Sequence, residues 1–176
     1  METLQYTKVR DVKSPNRAHP FDAGIDFYVP NDLTLDTMNE KFKTTGCQLS
    51  TVCNENGVIK QFIIQPNESI LIPSGIKVKV PNGYMLQFTN KSGVASKRGL
   101  LVGANTVDVG YEGECHINLH NVSCKAQYIE AGDKIVQGIL IPVNFAMPEE
   151  IASEDKLYEG SSSERGGGGF GSSGNK

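Results

Sequence analysis

The residues able to do chemistry gather in three short segments in the middle of the chain. Asn90 to Gly99 reads Asn-Lys-Ser-Gly-Val-Ala-Ser-Lys-Arg-Gly and combines hydroxyls, backbone N–H groups next to glycine, and the cations Lys91, Lys97 and Arg98. Such donors suit the oxygens of a polyphosphate, because each is either charged or fixed by the backbone. A basic surface loop would carry the same residues. Asn105 to Glu114 sets Asp108 between Val107 and Val109, with Gly110 and Tyr111 just beyond. The spacing alone shows a carboxylate in a hairpin, where Asp favours the turn. Ala131 to Gln137 opens a long apolar strand with the turn pair Gly132-Asp133 and then presents the amide of Gln137.

A fourth cluster, Cys115, His116, His120 and Cys124, has the ligand types of a zinc site. Strand parity opposes that reading. From Glu114 to His120 the odd positions are apolar and the even ones polar, so Cys115 faces the core while both histidines face away.

These segments need elements to position them. Period-two alternation is the dominant signal, seen best in Gly75 to Pro81, and it recurs at Ile25 to Val29, Val58 to Ile64, Ser69 to Ile72, Tyr84 to Phe88, Gly113 to His120 and Lys134 to Val143. Turn pairs such as Pro66-Asn67, Pro81-Asn82 and Gly132-Asp133 separate the runs. Helical period is confined to a turn or two at Val94 to Arg98 and in Thr37 to Phe42. Many short strands without long helices predict an all-β sandwich, barrel or jelly roll.

With 176 residues, 38% of them hydrophobic, the chain can bury one core. A net charge of −3 argues against an electrostatic grip on nucleic-acid backbones. No run approaches the ~18 apolar residues of a membrane span, and Met1 to Gln5 lacks the blocks of a signal peptide. The four cysteines, Cys47, Cys53, Cys115 and Cys124, form no C-x-x-C pair and fit free thiols in a reducing compartment. The expectation is a soluble cytoplasmic protein with neither nucleic acid nor membrane as partner. From Gly160 onward the composition shifts to glycine and serine, with Arg165 and Phe170 set among them. Composition reads this as a flexible tail or linker, while glycines around an Arg also suit a phosphate-closing flap.

Set in order, the segments resemble the five motifs of the trimeric dUTPase family: Ala23-Gly24-Ile25-Asp26, Lys91-Ser92-Gly93-Val94-Ala95, Val107-Asp108 with Tyr111 and Gly113-Glu114, Gly132-Asp133-Lys134-Ile135-Val136-Gln137, and Arg165-Gly166 through Gly169-Phe170-Gly171-Ser172-Ser173-Gly174. The resemblance implies an all-β jelly roll of β-clip type, and a homotrimer whose active sites are each built from all three chains. Residues 1–159 would form the domain, and 160–176 a flap that closes on the site. It also implies hydrolysis of dUTP to dUMP and pyrophosphate, with Asp108 as general base for the attacking water and Tyr111 beneath the deoxyribose. Hairpin backbone from Asn105 through Val107 to Tyr111 would read uracil. Lys91, Ser92, Gly93 and Gln137 would hold phosphates, Arg165 would clamp the γ-phosphate, and Phe170 would stack on the base, flanked by Gly169, Gly171 and Ser172. The same resemblance implies Mg²⁺ on the phosphate oxygens, with Asp26 as the nearby carboxylate, acting through water or serving its own turn. A dCTP deaminase of the same fold, or an interaction protein that senses a nucleotide, are the rival readings.

Three positions in two motifs depart from the family pattern. Lys91 stands where Arg is usual, which keeps the charge and loses the bidentate fork. Val102 and Asn105 occupy the places of the usual uracil-binding Asn and of a Gly, so Asn105 either reads the base or shapes the turn. A polar stretch from Asp36 to Gln61, with scattered Met38, Phe42, Leu49 and Val52, also lengthens the gap between the first two motifs. Loops of this length are usually functional or disordered. By resemblance to phage members that bind a repressor, residues 36–61 are where a regulatory protein would dock.

Overall fold

The structure is a computed structural model whose description covers residues 3–39, 49–161, 163 and 166–168. In chain order the elements are β1 (Gln5–Lys8), β2 (Ile25–Tyr28), α1 (Leu35–Asn39), β3 (Ser50–Cys53), β4 (Ile59–Ile64), β5 (Ser69–Pro73), β6 (Ile76–Lys79), β7 (Tyr84–Asn90), α2 (Ser92–Arg98), β8 (Leu100–Val102), β9 (Thr106–Val107), β10 (His116–Asn121), β11 (Gln127–Glu130), β12 (Lys134–Pro142) and α3 (Glu154–Leu157). The strands pair antiparallel in four small sheets, ordered β2-β12-β7-β9, β5-β10-β8, β11-β4-β3 and β1-β6. This is the all-β architecture that the alternation predicts.

Alternation translates directly into burial. In β6, Ile76 and Val78 are buried while Lys77 and Lys79 face solvent. In β10, Ile117, Leu119 and Asn121 point inward and His120 is exposed. Cys115 is buried at the head of this strand, so the parity argument that separated it from the histidines holds. Two aromatic rings organise the interior, with Phe27 and Phe88 meeting edge to face at a centroid distance of 4.9 Å. Gly138 lies beneath them: a Cβ there would come within 2.9 Å of Leu86 Cδ1 and 3.0 Å of Phe27 Cε2. Close approach of β12 to β7 therefore requires the missing side chain.

The chain divides into two compact units, Met1–Asn144 and Phe145–Lys176. The first closes when the Val143 N–H donates to the Gly83 carbonyl at 2.9 Å, ahead of the 159/160 boundary that composition suggests. The second holds α3, which Ser153 caps by accepting from the Lys156 N–H at 3.4 Å. Glu154 and Asp155 occupy its first turn, where the helix dipole favours acids.

The stretch 36–61 is tied down at both ends. Leu33 and Met38 are both buried, and Thr34 bridges Val58. Leu49 packs against the core and Val52 is half exposed; Phe42 lies outside the described residues. Its last residues, Ile59 to Gln61, belong to β4, which pairs with β11 on one side and β3 on the other. Removing all of 36–61 would therefore cut a central strand.

Candidate active site

Asp108 follows directly on β9, whose Val107 pairs with Leu86 and whose Thr106 pairs with Gln87. The chain then reverses in a tight turn in which the Tyr111 N–H donates to the Asp108 carbonyl at 3.3 Å. Gly110 makes this possible with φ +85°, a conformation that side-chain-bearing residues rarely adopt. The Asp108 side chain is exposed. The Tyr111 ring folds back over Gly113, its hydroxyl donating to the Glu114 carbonyl at 3.0 Å. A Cβ on Gly113 would sit 2.3 Å from the Tyr111 hydroxyl oxygen and 2.4 Å from Cζ, so this glycine seats the ring. Glu114 anchors the far end of the turn. Its carboxylate accepts from Arg10 Nε and Nη2 at 2.7 and 2.9 Å and from the Gly75 N–H at 2.7 Å. Asn105 holds the other end, its carbonyl accepting from the Phe88 N–H at 2.7 Å. The same turn borders a groove of about 600 Å³ that it shares with Tyr6, Lys79 and Asn82.

The phosphate-type residues lie at the other end of β7. Lys91 is the N-cap of α2, and Ser92 and Gly93 form its exposed first turn. Among the described residues nothing lies within 4 Å of where a Cβ on Gly93 would be, which leaves the backbone there open to a ligand. Gln137 donates from Nε2 to the Asn90 carbonyl at 2.9 Å. Its side chain lies across Gly24, where a Cβ would be 2.1 Å from Oε1 and 2.9 Å from Gln137 Cβ. Gly24 of the first motif is thus the seat for Gln137 of the fourth, a pairing that no local signal in the sequence discloses.

Asp26 is buried at 3% exposure and carries two cations. The Lys91 ammonium donates to Oδ1, and the Lys134 ammonium lies 3.0 Å from Oδ2. Burial works to raise the pKa of this carboxyl, but the hydrogen bonds and charges of Lys91 and Lys134 prevail and hold it below the ordinary aspartate range. The same contact holds the Lys134 ammonium above the usual lysine value. Asp26 is therefore ionised and already neutralised. Lys134 was not among the candidates from sequence, although it stands within the fourth motif; the missing information was strand register.

Among the described residues no group of three His, Cys, Asp or Glu side chains is gathered as a metal site. Burial, aided by the Glu114 charge, pushes the Cys115 thiol up to about 12, which makes it a poor thiolate ligand. Arg165, Gly169, Phe170, Gly171 and Ser172 lie outside the described residues.

The family model described as dUTPase matches residues 57–174. The chain belongs to the dUTPase family. A deoxyuridine 5'-triphosphate nucleotidohydrolase of Hydrogenobaculum is 37% identical over 116 residues, covering 65% of this chain and 76% of that relative. The enzyme of the same name from Mycolicibacterium vanbaalenii is 32% identical over 168 residues, covering 94% and 90%. Among solved structures, the dUTPase of Staphylococcus bacteriophage 80alpha with dUPNHPP superposes with a TM-score of 0.73 at 24% identity over 99% of both chains. The dUTPase of phage phi11 of S. aureus, described with a species-specific insert, gives 0.64 at 21% identity over 86% of this chain and 97% of that one. A further structure of the phi11 dUTPase details the coordination of a structural Mg(II) ion. At these identities the two phage structures establish the dUTPase fold for this chain.

Proposed function

We propose that this dUTPase-family chain hydrolyses dUTP to dUMP and pyrophosphate, with Asp108 taking a proton from the water that attacks the α-phosphorus. The water oxygen forms the new P–O bond, the bond from the α-phosphorus to the bridging oxygen breaks, and pyrophosphate leaves with that oxygen. The observation that carries the reading is the turn itself. It presents an exposed carboxylate at Asp108 and, three residues on, a Tyr111 ring held by Gly113 and the Glu114 carbonyl. In this role the ring supports the deoxyribose and excludes a 2'-hydroxyl. Hairpin backbone from Asn105 to Tyr111 reads uracil, and Ser92, Gly93 and Gln137 take the phosphates.

Register supports a site shared between chains. Val107 is level with Leu86, so Asp108 lies about five strand positions from Asn90, or ~16 Å at the usual rise per residue. One triphosphate attacked beside Asp108 cannot also reach Ser92 and Gln137 of the same chain over its α- and β-phosphates. A homotrimer with composite sites removes this conflict. Arg165 and Phe170, flanked by Gly169, Gly171 and Ser172, complete the proposal as γ-phosphate clamp and base-stacking ring, carried by resemblance.

The substrate is the triphosphate with Mg²⁺ on its own oxygens, where the ion offsets charge. Asp26, with a lysine ammonium beside each of its oxygens and no hydrogen bond accepted by Oδ2 among the described residues, fits such an ion only through water. No step is routed through the metal. The stretch 36–61 is proposed as a docking surface for a regulatory protein; the phage 80alpha dUTPases are described as controlling transfer of virulence genes. No helix among the described residues is long and apolar enough to cross a membrane.

Incubating the protein with dUTP, dCTP and dTTP in Mg²⁺, and assaying pyrophosphate and ammonia, tests the reading. Pyrophosphate from dUTP alone is the expected result. Ammonia from dCTP would replace it with deamination, and no turnover would leave a nucleotide-binding protein.

A further inference from the structure

We infer that Asp26, gripped by Lys91 and Lys134, is the anchor that fixes the phosphate-binding turn, with Lys91 a positioning residue and not itself a phosphate ligand. This rests on the dUTP reading of the site. Asp26 faces Gln137 across the β2–β12 pair, and Gln137 faces Thr89 across the β12–β7 pair. One row of three strands thus carries the anchor, the proposed phosphate amide and the residue two places before Lys91. Gln137 also holds the Asn90 carbonyl, so the backbone entering α2 is tied to the same row from both its side-chain and main-chain faces.

Lys91 makes no side-chain cap to α2. Its ammonium instead crosses to β2 and ends on Asp26, which a compact point charge on a flexible stem can do with a single contact. To swing out to a phosphate, Lys91 would have to leave a carboxylate that is 3% exposed with only the Lys134 ammonium, itself 42% exposed, to offset its charge. Breaking such a pair is unfavourable. The turn that presents Ser92 and Gly93 is therefore held by an internal ion pair, with the Lys134 ammonium 3.0 Å from the second oxygen.

Steady-state kinetics on Lys91→Met, Lys91→Arg, Asp26→Asn and the Lys91→Met/Asp26→Asn double variant test this, with dUMP as a product inhibitor that lacks the β- and γ-phosphates. Each charge-removing single variant should lower kcat/KM for dUTP by roughly 10- to 100-fold, the usual cost of a misplaced binding group. The double variant should be no worse than the poorer single one, Lys91→Arg should recover most of the loss, and dUMP inhibition, which keeps only the α-phosphate contact, should weaken less than dUTP turnover. Three results would overturn the inference. They are normal turnover in Asp26→Asn beside a defective Lys91→Met, effects that multiply in the double variant, or dUMP inhibition weakened as much as dUTP turnover. If Asp26→Asn does not fold, Lys134→Met takes its place, since that side chain is 42% exposed and meets the same carboxylate. A wild-type chain inactive on dUTP would sink the functional reading alone. The anchor is then judged by thermal melting, where coupled losses in the Lys91→Met/Lys134→Met pair support it and additive losses overturn it.

Discussion

Two carboxylates at the candidate site live in opposite surroundings. Asp108 stands exposed on a glycine-made turn, and among the described residues no side chain pairs with it. Asp26 is buried and bound by two ammonium groups. The difference separates chemistry from architecture. A group that must exchange a proton with an incoming water needs access and an unfilled lone pair, whereas a group that must hold two strands and a helix start in place needs fixed partners. Mutating the first should change rate without stability, and mutating the second should change both.

The largest effect is expected at Asp108. Asp108→Asn should lower kcat by a factor of roughly 10² to 10⁴, the worth of a positioned general base, while its melting temperature stays that of the wild type. Turnover close to normal would remove Asp108 from the reaction and break the comparison on its chemical side.

Asp26→Asn should act on stability next. Its lysine partners keep some access to water, so the loss at pH 7 is set at about 1–2 kcal/mol, between exposed and fully buried pairs. Because the folded carboxyl is held below its ordinary value, its contribution is complete above about pH 4 and disappears as pH falls through the lower folded value. Melting curves from pH 7 to pH 2.5 should therefore show wild type and variant converging at the acid end. A constant difference across that range would mean that the ion pair is not what stabilises this region.

Gly113→Ala sharpens the comparison within the exposed turn. The added methyl collides with the Tyr111 ring, so the ratio of kcat/KM for dUTP over UTP should fall by about fivefold, in the direction of Tyr111→Ala, as a steric discriminator loosens. An unchanged ratio in both variants would move sugar selection to another residue.

The thiols offer the smallest effect, and extend the contrast between exposed and buried groups to cysteine. Alkylation of the folded protein at pH 8 should mark exposed Cys124 and spare Cys115, whose thiol is buried and pushed up to about 12. Activity on dUTP should survive the modification of Cys124. Labelling of Cys115 without unfolding would show that the interior beside Glu114 opens readily.

The strands that sequence reveals are those with a buried face. β2, β4, β5, β6, β7, β10 and β12 are found within a residue or three of their expected limits because alternation over four or more residues is a local record of burial. β1 is exposed at all four of its positions and carries no such record. β8 and β9, three and two residues long, exist only because β10 and β7 offer them partners. α2 is announced weakly by Val94 to Arg98 and ended by Gly99 in the left-handed conformation, which a helix stop of this kind favours.

The site divides along the same line. The sequence by itself determined the Asp108-to-Tyr111 turn, since Asp, Gly and a nearby Tyr act within one reversal of chain, and it determined family membership through motifs kept in order. Only the tertiary structure decided what Asp26 does. Its partners Lys91 and Lys134 come from β7's end and β12's beginning, and Gln137 reaches its seat at Gly24 through the pairing of β12 with β2. A charge pair between residues so far apart in the chain depends on strand register, and register is settled by the packing of the whole core rather than by any local run of side chains.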